Sequence, residues 1–203
     1  MDQGKRGYAV MSVVFLLLYG GTYGLLLLLF GGPASFSPKE VLGLAFLLLP
    51  AVAALFLMLR RHKAAAVLMT LALVWTLIGQ VPEIPRYLEP NGYLATYNEA
   101  IGYTEYIPRG YVVLPILNIL AAACFSAALY LRGRPALILA LLSALAEQAY
   151  MVLNMAATAY VTGHPTPFFV FFPFNYAMGA FFAGLYLYSL RRKSQSKKDP
   201  GDL

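Results

Sequence analysis

Charge is scarce in this chain. Fifteen Lys plus Arg and nine Asp plus Glu make 12% of its 203 residues, about half the roughly 25% of a soluble domain. Cysteine occurs once, at Cys124, which excludes a disulfide scaffold. The absence of a glycine period excludes collagen, and a 60% apolar content excludes a disordered chain. Histidine occurs twice and tryptophan once, so little reaction chemistry is available. What fills the sequence instead is a series of long apolar runs. Lipid, not water, is therefore the expected main solvent, and the expected location is the cell membrane, crossed several times.

Six runs organise the chain, at 8–30, 41–59, 64–80, 111–131, 136–161 and 167–190. Their lengths bracket the roughly 20 helical residues that cross about 30 Å of hydrocarbon. The runs lack the alternating pattern of a membrane barrel, and backbone groups in lipid must pair within their own segment. The fold class expected is all-α: one polytopic domain of six transmembrane helices over 1–190, with a basic disordered cytoplasmic tail at 191–203. The first run follows Lys5 and Arg6 as a signal peptide would, but its apolar stretch exceeds the usual 7–15 residues, which predicts a retained helix.

The positive charges orient the bundle. Twelve of the fifteen basic residues fall in the N-terminus, in the connections after the second and fourth runs, and in the tail; only Lys39, Arg86 and Arg109 fall on the other side. The positive-inside rule then puts both termini in the cytoplasm, which requires an even number of crossings. The basic tail reads as a stop-transfer anchor attracted to anionic headgroups. It has no aromatic interleaving or folded basic face, so nucleic acid is not an expected partner. The expected partners are the lipid bilayer, a small-molecule or lipophilic ligand, and further membrane subunits.

One connection is long. The outer segment 81–110 carries four glutamates and five tyrosines, and loops of this length are usually functional or disordered. Its aromatics argue against disorder. Leu94, Tyr97 and Ile101 stand at i, i+3 and i+7, which predicts a short interfacial helix over 93–101. Two readings of the segment remain open: a lid over an outward-facing site, or an aromatic belt at the interface. The glutamate spacing matches no calcium loop.

Polar residues inside the runs carry the functional signal. Glu147 is the one acid within any run, eleven residues into the fifth, where an ionised acid costs roughly 2.5–3.5 kcal/mol. It must face the bundle interior, be protonated or hold a partner. Ser143, Tyr150, Asn154 and Thr158 follow at i−4, i+3, i+7 and i+11, one polar stripe on one helix face. Asn118, Asn154 and Asn175 lie seven or eight residues from the outer ends of their runs, roughly 10–12 Å deep. Tyr23 lies at a similar depth, and Trp75 and Thr76 stand in the outer third of the third run. These residues predict a pocket that opens outward and has an ionisable floor. The expected ligand-binding set is Glu147, Tyr150, Asn154, Asn118, Asn175, Tyr23 and Trp75. The competing reading is that asparagine, serine and threonine merely bond between packed helices.

Small-residue spacings, Gly20-x-x-x-Gly24, Gly179-x-x-x-Ala183 and Ala180-x-x-x-Gly184, predict close packing of the first and sixth runs. Ala54 is expected to face lipid. Pro50, Pro115 and Pro173 are positions that can kink their helices. His62 and His164 lie at opposite ends, and no serine–histidine pair, paired acids or zinc spacing occurs at one depth, so no metal, cofactor or named catalytic residue is expected.

Phe172-Pro173-Phe174-Asn175 opening a last helix that ends in Arg191-Arg192-Lys193 resembles the substrate-binding components of energy-coupling-factor vitamin transporters. That resemblance implies solute capture from outside, beneath loops. Leu131-Arg132, Pro135, Gln148, Tyr150, Gly163-His164-Pro165 and Asn175 are weakly similar to the emopamil-binding and sterol-isomerase family, although Trp75 and Gly79 stand where that family carries an intramembrane His and Glu. Three functions remain open at this point: solute binding or transport through the pocket, a membrane-embedded enzyme or lipophile-binding protein using Glu147 as an acid–base group, and a structural subunit of a larger complex.

Overall fold

Long, predominantly apolar stretches fold as helices because each satisfies its own backbone. The computed structural model of the chain describes residues 3–31, 38–90, 93–98, 103–162 and 171–196. Six long helices occupy them: α1 (Gln3–Gly31), α2 (Pro38–Met58), α3 (His62–Gln80), α5 (Val113–Tyr130), α6 (Arg134–Thr162) and α7 (Phe171–Ser196). A one-turn helix α4 (Glu83–Tyr87) and a two-stranded hairpin, β1 (Tyr93–Asn98) and β2 (Tyr103–Ile107), lie between α3 and α5. Among the described residues, three helical stretches are long and apolar enough to cross a membrane: His62–Tyr87, Arg109–Tyr130 and Arg134–Ala157. The last helix runs on to Ser196, through the first six residues of the segment expected to be disordered, and 197–203 lie outside the described residues.

The long helices pack in a closed ring, α1 on α2, α2 on α3, α3 on α5, α5 on α6, α6 on α7, and α7 back on α1. One end of the ring is filled. Ala9 and Leu16 of α1, Ala51, Ala54 and Leu57 of α2, Ala65 and Ala66 of α3, Phe125 and Leu129 of α5, Ala136 of α6, and Ala180, Ala183 and Leu187 of α7 form one buried cluster there. Among the described residues more than half of the buried apolar ones are alanines. Small side chains let helix backbones approach closely enough for dispersion to hold them together.

The closing seam between α1 and α7 depends on Gly179. A Cβ at this position would collide with the side chain of Leu16, and the Ser12 hydroxyl donates to the Gly179 carbonyl at 2.8 Å, so the expected close approach of these two helices is present. The other small residues serve different seams. Gly20 faces Leu48 of α2, and Gly184 faces Ala140 and Leu137 of α6.

Two expectations need correction. Ala54 does not face lipid; it is 1% exposed, inside the core cluster, while Val52 and Leu55 are on the surface. Beyond Lys39 and Glu40 every face of α2 is apolar, so hydrophobicity does not distinguish its outer side from its packed side, and side-chain size does. Ala54→Leu is therefore expected to destabilise by about 1–3 kcal/mol through overpacking, and Val52→Leu to be neutral, as thermal melts in detergent would read. Second, residues 93–98 form β1, paired antiparallel with β2 through a register shift between Leu94 and Thr96, in place of a helix over 93–101. Pro115 is the third residue of α5, directly after a 3-10 turn over Arg109–Val112. Pro173 holds the same place in α7, and only Pro50 sits inside its helix.

The two tight corners at the filled end use left-handed backbone. Gly133 has φ 78° between α5 and α6, and Arg60 has φ 62° after α2. Arg60 occupies the site where glycine usually ends a helix, with Arg61 N–H bonding to the Phe56 carbonyl at 2.8 Å and Arg60 N–H to that of Leu57 at 2.9 Å.

At the opposite end, Arg109 is committed to local structure. Its guanidinium donates to the carbonyls of Glu89 and Pro90, at 2.8 and 2.6 Å, and so ties together the two ends of the excursion that contains the hairpin. Arg86 pairs with Glu83 at 2.9 Å.

Candidate functional site

Above the filled end the ring encloses a cavity of about 580 Å³ to which all six long helices contribute. That volume lies within the 300–1,000 Å³ of small-molecule sites. The α6 stripe supplies the polar wall. Ser143, Glu147, Tyr150 and Asn154 recur at helical spacing; the first is fully buried, and the other three line the cavity. Asn118 of α5 and Trp75 of α3 line it as well. Five of the seven residues expected at the site are thus brought around one space.

The remaining two are not. Asn175 is half-buried and does not line the cavity; its neighbour Tyr176 does. The inward stripe of α7 runs Tyr176, Ala180, Ala183 and Leu187, and one residue of offset rotates a side chain about 100° round the helix. Tyr23 lies in α1, but its side chain is outside the described residues; the tyrosine one turn earlier, Tyr19, reaches the cavity.

Tyr19 and Tyr176 were not expected at the site, and they organise its floor. The Tyr19 hydroxyl donates to Glu147 Oε1 at 3.2 Å, and the two tyrosine rings meet edge-on with centroids 5.2 Å apart. Ser143, one turn below Glu147, gives its single proton to the Ala121 carbonyl at 2.7 Å. The Tyr176 hydroxyl, 3.0 Å from Ser143 Oγ, must then be the donor in that pair. Phe125 packs edge-on beneath Tyr176 at 5.9 Å, where the solid core begins. One signal for Tyr19 was present in the sequence: Ala9, Ser12, Leu16 and Tyr19 follow a helical period, and the first three are buried.

No family model, no curated protein and no solved structure matches this chain. The site therefore has to be read from its own chemistry.

The opposite wall is aromatic. Phe46 of α2 and Trp75 of α3 stack with centroids 4.3 Å apart and planes 2° from parallel, and both line the cavity. Below them Pro50 and Met69 close the α2–α3 side. Thr76 also lines the space, its hydroxyl donating to the Ala72 carbonyl of its own helix at 3.0 Å. Glu147 is 5% exposed, and among the described residues it is the one carboxyl group at the cavity and no lysine, arginine or histidine lines it. Such a site can hold an apolar body against rings and orient it through a few amides, hydroxyls and a single acid.

Proposed function

We propose that this chain is an integral membrane protein of six transmembrane helices with both termini cytoplasmic, and that its cavity opens to the outer face and binds a small solute, for capture or transport, with Glu147 at the floor. The observation that carries this reading is the asymmetry of the ring. Its buried acid and the amides of Asn118 and Asn154 border a ligand-sized space at the end carrying 81–110, while the end carrying most basic connections is packed mainly with alanine, leucine and phenylalanine, its buried Ser12 and Ser126 bonded within the core. A structural subunit would be expected to turn its polar stripe outward to a partner; here the stripe of α6 turns inward. The hairpin lies at the same end, with β2 against α6, which suits a cover over the mouth.

Single cysteines at Tyr97, Asn154 and Lys197, introduced into a Cys124→Ala background, test this together. A membrane-impermeant thiol reagent added outside intact cells should modify Tyr97→Cys and Asn154→Cys, and should reach Lys197→Cys only after permeabilisation. Labelling of positions 97 and 197 from the same side would overturn the topology. Protection of position 154 from both sides would overturn an outward-opening cavity.

A further inference from the structure

We propose that the solute is an organic cation with an aromatic or otherwise flat apolar body. This rests on the reading of the cavity as a solute site and specifies its ligand. Three features of the lining carry it. The first is charge. Among the described residues Glu147 is the single carboxyl group at the cavity and no basic side chain lines it, so an anionic ligand would bring its charge into a low-dielectric space with no counter-charge from that lining, at heavy cost. A cation meets a carboxylate that is already oriented, because Tyr19 donates to Oε1 from α1.

The second feature is the density of rings. Tyr19, Phe46, Trp75, Tyr150 and Tyr176 all border the space. Aromatic rings attract a desolvated cation through their quadrupole, tryptophan most strongly, and they also accept a flat apolar body by stacking. Acid and rings together favour a cation over a neutral molecule of the same shape. The third feature is the arrangement of neutral polar groups. Asn154 lies about two turns farther than Glu147 from the filled end and Asn118 lines the space from α5, so a ligand that seats its charge on the floor presents its remaining polar atoms to amides. A cavity of about 580 Å³ admits a body of drug-like size.

The single tryptophan makes the proposal directly measurable, since Trp75 is the only indole in the chain and lines the cavity. The full-length protein in lipid nanodiscs would be titrated with three probes of one carbon skeleton, 4-phenylbutylammonium, 4-phenylbutanol and 4-phenylbutanoate, under selective excitation of tryptophan. The ammonium should change Trp75 emission saturably and bind about tenfold or more tightly than the alcohol, with the carboxylate weakest. In Glu147→Gln, which keeps an acceptor for Tyr19, affinity for the ammonium should fall to that of the alcohol. Equal binding of ammonium and alcohol in the unmodified protein, or tighter binding of the carboxylate, would overturn the cationic ligand and leave the solute site standing. No saturable response to any of the three would overturn both. The comparison among the three probes needs no variant, so it holds even if Glu147→Gln does not fold.

Discussion

Gly179→Leu should lower the melting temperature of the detergent-solubilised protein more than any other single change at a small residue. The backbone of α7 lies against Leu16 so closely that even a Cβ would collide with that side chain, and the Leu16 backbone nitrogen would be only 3.3 Å away. The seam therefore has to open by helix displacement, because a rotamer change of Leu16 alone leaves its backbone in place. Opening it also stretches the Ser12 bond to the Gly179 carbonyl and disturbs the stacking of Phe15 on Phe182, whose centroids are 5.8 Å apart. Overpacking of this kind costs up to about 3 kcal/mol, and at roughly 2–4 °C per kcal/mol for a chain of this size the expected drop is about 6–12 °C. Gly21, on the exposed face of α1, has nothing within 4 Å of the point where a Cβ would stand, and Gly21→Leu should melt as the unmodified protein does. Equal melting temperatures for the two variants would mean that α1 and α7 do not close the ring as described.

Glu147→Leu separates function from stability most sharply. A leucine has nearly the volume of the acid and none of its polarity, so it removes both the proposed counter-charge and the acceptor of the Tyr19 bond. Binding of 4-phenylbutylammonium should be lost, while the fold should keep its melting temperature or gain a little, because a buried acid in an apolar bundle is costly to hold. Tyr19→Phe alone should weaken binding modestly. Combined with Glu147→Leu it should add nothing further, and the coupling between the two positions should be about 0.6–1.7 kcal/mol, the range for hydrogen bonds between membrane helices. Unchanged ligand binding with a raised melting temperature in Glu147→Leu would show that this acid is only a tolerated polar contact.

The sequence by itself determined where the helices run. An apolar stretch bounded by charge, proline or glycine has one economical conformation in an apolar solvent, and each of the six long helices overlies one of the six runs, with ends that differ by less than about two turns. It also determined the polar face of α6, because Ser143, Glu147, Tyr150 and Asn154 repeat at a local period that any helix converts into one stripe. Tertiary structure alone decided what stands opposite that stripe. On α2, and on α7 before Ser189, nearly every residue is apolar or aromatic, and period carries little signal when all faces are alike; the positions of Ala54 inside and of Tyr176, not Asn175, at the cavity follow from which small residues the neighbouring helices can approach. The hairpin was hidden for a related reason. Its strands are stabilised by pairing with each other, Tyr93 with Ile107 and Asn98 with Tyr103, whereas helical spacing within residues 93–101 is a property of those residues alone. Small-residue spacing marked α1 and α7 as close-packed, but no local pattern placed Tyr19, near the start of the chain, against Glu147 of α6 across 128 residues.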